Sequence, residues 1–164
     1  IPRIVDSEED LAVAAHPGSL PHSLAFQSLA NSPLVWITPS VDCQVKQMLA
    51  ASPQPDWSSL PMIIAESGLA RTRLEEWFGA NRIQPNVYAY VSGHEAIVSL
   101  VALGFGIGVI PQLVLENSPL RASIDMLDAG PALEALRIGL VARKQRLSDP
   151  VVKAVWELAA ERRR

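Results

Sequence analysis

The 164-residue chain predicts an α/β fold built on a mainly parallel sheet, on three observations. Short apolar runs bounded by turn residues alternate with stretches whose apolar residues recur at helical spacing. The run from Val91 to Pro111 passes from a strand through a helix and a glycine-rich turn into another strand, one complete βαβ unit. Hydrophobic residues make up 49% of the chain, ample for a buried core.

Taken in order, Arg3-Ile4-Val5 reads as the last turn of a helix, and residues 7–9 as a turn into a strand over 11–15. Residues 34–39 form a continuous apolar strand. The variable stretch after it ends in Ser52-Pro53-Gln54-Pro55-Asp56-Trp57-Ser58-Ser59-Leu60-Pro61, where three prolines in ten residues predict a loop. A short buried strand over 62–65 precedes an amphipathic helix over 69–78, which carries Ala70, Leu74, Trp77 and Phe78 on one face and stops at Gly79. Residues 87–91 form the next strand. Ser92 with Glu95 three residues later predicts a capping box, Ala96, Ile97, Leu100 and Val101 a core-facing stripe, and Gly104 the helix stop. A short helix over 112–116, a short strand over 124–127 and a strand over 136–142 follow. Ser148-Asp149-Pro150 starts the last helix, whose apolar face is Val151, Val152, Val155, Trp156 and Ala159.

Composition narrows the function. A net charge of −3 and a pI near 5.6 argue against this segment gripping nucleic acid, which needs a basic face. The three arginines 162–164 read as cations complementing a helix carboxyl end rather than as a nucleic-acid tail. The single cysteine, Cys43, has no partner for an internal disulfide, and with three scattered histidines it gives no metal-ligand spacing. No export signal or membrane-spanning run is legible, and a reducing cytoplasm fits best.

Gly104-Phe105-Gly106-Ile107-Gly108 resembles a dinucleotide fingerprint only superficially, because it follows a helix and opens a strand instead of the reverse. No nucleophile elbow is present, and Glu75-Glu76 point about 100° apart on a helix, so they do not share a site. The stronger candidates are Ser92, Gly93 and His94, since a helix amino terminus at the end of a strand offers free N–H donors and partial positive charge to a small anion. Capping alone explains Ser92 equally well. Glu66-Ser67-Gly68 occupies the equivalent junction one strand earlier, and Arg71 sits in the first turn of the helix after it. A guanidinium there could clamp a carboxylate, or simply pair with Glu75 four residues on. His16 ends its strand, although His16-Pro17-Gly18 is also a plain turn.

The helix opened by Ser92-Gly93-His94-Glu95 and closed by the turn Leu103-Gly104-Phe105-Gly106-Ile107-Gly108-Val109-Ile110-Pro111 resembles the effector-binding domain of LysR-type transcriptional regulators. The resemblance extends to Asp10-Leu11-Ala12-Val13-Ala14, to Leu34-Val35-Trp36-Ile37-Thr38-Pro39, and to the run from Leu136 to Lys144. It implies two Rossmann-like lobes of the periplasmic-binding-protein type II kind, joined by two crossover strands. Lobe one would be residues 1–39 and 136–164, incomplete at its amino-terminal side, and lobe two residues 40–135, with an amino-terminal winged helix-turn-helix absent from this chain. It also implies a sensor and not an enzyme, a homo-oligomer (dimer or tetramer) that binds DNA through the absent domain, and a small anionic metabolite held between the lobes. Ser67, Gly68, Arg71, Ser92, Gly93, His94 and His16 would be its ligand-binding residues, with no metal, cofactor or membrane involved. The runs Trp77-Phe78-Gly79-Ala80-Asn81-Arg82-Ile83 and Val114-Leu115-Glu116-Asn117-Ser118-Pro119 look most like the branch that activates isoleucine-valine biosynthesis, which implies acetolactate or acetohydroxybutyrate as ligand. A solute-binding protein of a transporter shares this fold and stands as the alternative; a small α/β enzyme lacks any nucleophile–base pair or metal set.

Overall fold

The computed structural model of the protein describes every residue except 1–3, 5, 7, 8, 53, 129 and 162–164. Arg3, Val5, Ser7, Glu8 and the three terminal arginines therefore lie outside the described residues, while Ile4 is buried. The chain divides into two units, Ile1–Ser32 with Leu136–Arg164, and Pro33–Ala135.

The first unit is a three-stranded sheet, β1 (Leu11–Ala15), β8 (Leu136–Arg143) and β2 (Leu24–Ser32), with β8 in the middle. Both pairings are antiparallel, Val13 opposite Leu140 and Phe26 opposite Val141. Ile4, Leu24 and Val141 form its core, with Ala12, Ala14, Leu20 and Phe26 packed around them. The closing helix α5 (Pro150–Glu161) starts as its sequence predicts: Asp149 Oδ1 accepts the N–H groups of Val151 at 2.9 Å and Val152 at 3.3 Å. Its buried stripe is narrower than predicted. Val152 is buried, Trp156 and Ala159 are half-buried, and Val151 and Val155 are exposed. Positions 152, 156 and 159 keep one helical face, and 151 and 155 fall on the row beside it.

The second unit is a five-stranded sheet in the order β5 (Asn86–Val91), β4 (Pro61–Ala65), β6 (Ile107–Pro111), β3 (Leu34–Pro39) and β7 (Ile124–Met126). The first three are parallel, as βαβ connections require, but β3 runs antiparallel to both β6 and β7. Where the sequence predicted a mainly parallel sheet, the chain thus forms two sheets, one mixed and one wholly antiparallel. A strand buried on both faces, such as β3, reads as an unbroken apolar run in either direction, so its pattern carries no sign of which way it pairs.

Around this sheet run α1 (Gln44–Ala50), α2 (Leu69–Asn81), α3 (His94–Ala102) and the short α4 (Gln112–Glu116). The sequence reading assigned no element at α1 or β2. Helix α3 buries Ile97, Val98 and Val101 against Ile37, Ile63, Ala65 and Ile110; fully burying such side chains contributes about 1.5–3 kcal/mol each. On the opposite side of β3, Trp36 packs against Trp57 and Trp77 at ring separations of 4.6 and 5.6 Å and donates its indole N–H to Pro131 O at 2.9 Å. Trp57 thereby anchors the proline-rich loop. Among the described residues no helix is long and apolar enough to cross a membrane.

Both inner helices end in paired return bonds. Past α3, Phe105 N–H donates to Leu100 O and Gly104 N–H to Val101 O, the Schellman arrangement, with Gly104 at φ +85°. Helix α2 makes the same turn with Arg82 at φ +55°, three residues beyond Gly79. Gly79 is therefore an interior residue of the helix and does not stop it. Gly106 serves close approach: a Cβ there would lie 2.5 Å from the Pro61 carbonyl oxygen at the start of β4.

These two glycines should respond oppositely to alanine in urea denaturation. Gly79→Ala meets nothing within 4 Å and is expected to stabilise the protein by about 0.5–1 kcal/mol through helix propensity. Gly106→Ala is expected to destabilise it by about 1–3 kcal/mol, because the obstructing atom is backbone and cannot rotate away.

Candidate functional site

The parallel pairing of β4 with β5 sets Ala65 opposite Val91, so the loops leaving the two strands emerge side by side. Glu66 N–H donates to Val91 O at 2.9 Å and ties the first loop to the end of the second strand. Each loop ends in a glycine at the helix start: Gly68 at φ 105°, ψ 168° before α2, and Gly93 at φ 85°, ψ 151° before α3. That backbone region is essentially closed to residues with a Cβ, so the two junctions are near copies of one glycine-dependent turn. Neither helix start has a side-chain cap. The capping box expected of Ser92 and Glu95 is absent, because the cap position falls on Gly93 and leaves Ser92 one residue outside the helix.

Six of the seven candidates are thus gathered in the second unit. Ser67, Gly68, Ser92 and Gly93 are exposed on the loops, and His94 is half-buried at the first residue of α3. Burial pushes the His94 imidazole below its ordinary value, with the adjacent Glu95 carboxylate opposing part of the shift. Arg71 is more constrained than a free clamp. Its Nε donates to Glu75 Oε1 at 2.7 Å, its Nη1 to Glu66 O at 2.5 Å, and its guanidinium lies 5.0 Å from the ring centroid of Tyr90. The predicted pairing with Glu75 is present, and Nη2 makes no hydrogen bond among the described residues. Sequence reasoning missed Tyr90. Its signal was the alternation along β5, which puts Tyr88 and Tyr90 on one exposed face.

His16 belongs to the first unit. Its Nδ1 accepts the Gly18 N–H at 3.1 Å and lies 3.0 Å from Arg137 Nη2, which leaves the ring proton on Nε2. Its ring meets Phe26 edge-on at 4.7 Å. The residue is both a turn residue, as its sequence allowed, and a ring held in one tautomer.

A separate surface cavity of about 530 Å³ is lined by Thr38, Lys46, Arg121, Asp125 and neighbours, and by none of the seven candidates. The register of β3, with Leu34 opposite Pro111 and Ile37 opposite Gly108, places it toward the other end of the sheet. A Lys46–Asp125 ion pair spans its wall. Among the described residues no group of three or more histidine, cysteine, aspartate or glutamate side chains could hold a metal ion. The chemistry offered by the paired loops is therefore that of backbone donors, two hydroxyls, an imidazole and one partly engaged guanidinium, a set suited to a small oxyanion.

Comparison with known proteins bears on the family and the fold. Residues 1–164 match the LysR substrate binding domain. The chain is 41% identical over 159 residues to the HTH-type transcriptional regulator IlvY of Escherichia coli (strain K12), covering 95% of this chain and 53% of that protein. It is 40% identical to the HTH-type transcriptional activator IlvY of Salmonella typhimurium, covering 95% and 54%. It thus spans about half the length of the curated relatives it matches, which are transcriptional regulators and not enzymes. Among solved structures it resembles the effector binding domain of QuiR in complex with shikimate, at a TM-score of 0.74 and 22% identity over 96% of this chain and 73% of that one. The regulatory domain of CcmR from Synechocystis PCC6803, in complex with 2-PG, gives 0.77 and 22% over 96% and 74%. These likenesses assign the fold: the α/β fold of LysR effector-binding domains, of the periplasmic-binding-protein type II kind.

Two outcomes are expected at the helix starts. Gly68→Ala or Gly93→Ala should each cost about 1–3 kcal/mol in denaturation although neither added Cβ would clash, because the strain is in the backbone. His94 has a folded pKa below its unfolded one, so protons favour the unfolded state. Stability should be full above about pH 6.5 and fall as the pH drops from there toward the lower folded pKa. In His94→Asn that slope should flatten; an unchanged slope by urea titration at pH 7.5 and 5 would remove His94 as its source.

Proposed function

The chain belongs to the LysR substrate-binding domain family, and on that premise we propose that it is the ligand-sensing module of a transcriptional activator of branched-chain amino-acid biosynthesis, with acetolactate or acetohydroxybutyrate as its effector. The observation that carries the reading is the pair of adjacent, glycine-led helix starts at Gly68 and Gly93. Identity of about 40% to IlvY regulators over 95% of the chain supports the choice of effector and of regulator over a transporter's solute-binding protein, which has the same fold.

In this reading the effector's carboxylate meets the N–H groups of Gly93 and His94 and the Nη2 donors of Arg71. Its hydroxyl and keto oxygens meet the Ser67 and Ser92 hydroxyls, and the exposed backbone at Gly68 lets the ligand approach. His94, whose imidazole burial pushes below its ordinary value, supplies a hydrogen bond. The full-length protein would be a cytoplasmic homo-oligomer that reads DNA through an amino-terminal helix-turn-helix. Effector binding would act by shifting an existing conformational equilibrium, by no more than its differential affinity for the two states.

Calorimetric titration of the full-length protein with acetolactate should give selective, saturable binding, with valine and a simple 2-keto acid as weak controls. Ser92→Trp should abolish that binding and the transcriptional response while leaving operator DNA binding intact. Loss of DNA binding as well would mean misfolding, and binding unaffected by Ser92→Trp would move the effector elsewhere.

A further inference from the structure

Among the described residues Arg71 is the one cation at the paired loops, and its use depends on where its planar fork is held. Glu75 alone does not hold it, since an exposed i,i+4 ion pair is weak and exchanges with water. The carbonyl of Glu66 is a second point, on a loop. The third comes from another strand: the ring of Tyr90, in register with Ile64 of β4, lies 5.0 Å beneath the guanidinium carbon. A ring on a β-strand has few rotamers and presents a flat face of partial negative charge, which sets the plane of the guanidinium as no mobile carboxylate can. With Nε–H and one Nη1–H engaged, the donors left for a ligand are the two on Nη2 and the second on Nη1.

We infer that Tyr90 is the positioning residue that holds the Arg71 guanidinium with its Nη2 edge ready for a ligand carboxylate. The inference rests on the small-anion reading of this site and adds to it a residue that never touches the ligand. The ring face does the holding and the phenolic hydroxyl has no part in it, so phenylalanine replaces tyrosine and an aliphatic side chain does not. Tyr90 also links β5 to the loop at Glu66, because the guanidinium it supports bonds that carbonyl.

The test compares Tyr90→Phe and Tyr90→Leu in the full-length protein by two readouts. The first needs no ligand: the rate at which phenylglyoxal modifies Arg71, followed by peptide mass mapping, with Arg73, tied to Glu76 and Glu134, as internal reference. The second is calorimetric titration with acetolactate. Tyr90→Phe should match the wild type in both. Tyr90→Leu should raise Arg71 modification and weaken acetolactate binding, each by about 3- to 10-fold as expected for a partly exposed cation–π contact, with Arg73 unchanged. Should Tyr90→Leu fail to fold, Tyr90→Met, of similar volume, is read in the same way. Unchanged Arg71 reactivity in the aliphatic variant overturns the proposal, as does faster modification with undiminished acetolactate affinity. A wild type that binds no acetohydroxy acid refutes the effector proposed above, while the reactivity arm still decides whether Tyr90 holds Arg71.

Discussion

The parallel pairing of β4 and β5, with Ala65 opposite Val91, is the constraint on which the candidate site depends. Two βα junctions leave neighbouring strands at the same end, so their helix starts come to lie together and their unpaired N–H groups point into one region. Neither junction uses a capping side chain. Glycine at both lets the chain turn sharply while leaving the donors uncovered, and each helix is secured instead by what it buries: Ala70, Leu74 and Phe78 in α2, and Ile97, Val98 and Val101 in α3. The helices can leave their donors unsatisfied because their stability lies in the core.

That core also explains the sheet. Strand β3 is buried on both faces, with Ile37 in the aliphatic cluster under α3 and Trp36 in the tryptophan cluster on the other side. It joins the parallel strands in the antiparallel sense and brings β7 with it. The indole hydrogen bond to Pro131 and the packing of Trp57 draw two irregular segments onto this strand, which is why the proline-rich loop is anchored despite having no helix or strand of its own.

Electrostatics at the paired loops are restrained. Arg71 is paired with Glu75 and a carbonyl, burial pushes His94 below its ordinary value, and Glu66 and Glu95 are exposed beside them, so no free positive charge dominates the loops. Attraction for an anion then comes mainly from oriented backbone dipoles, which cost no reorganisation when a ligand arrives. In the first unit, Arg146 Nε donates to Asp10 Oδ1 at 2.7 Å, and that bond holds the Asp10 carboxyl below the usual carboxylate range; with Asp10 exposed and Arg146 half-buried, the pair is a surface contact and not a site.

Read alone, the sequence decided most of the elements and nearly all of the local chemistry. The strand at 34–39, the helix start at Asp149, the turn at Gly104 and the exposed junctions at 66–68 and 92–93 are all legible, because apolar period and turn residues act over a few residues. Several features, helix α1 among them, lay beyond it. The direction of β3 was hidden because two-sided burial looks alike in either sense. Strand β2, whose middle is only half-buried and whose end carries Leu29, Ala30 and Asn31 exposed, lacks a clean alternation. The end of α2 was misjudged because Gly79 could have turned the chain, yet tertiary packing moved the left-handed residue to Arg82. Tyr90 became part of the site only when β5 paired with β4 and set its ring under Arg71, since which side chains meet across strands is fixed by register, and register is settled by the whole sheet at once.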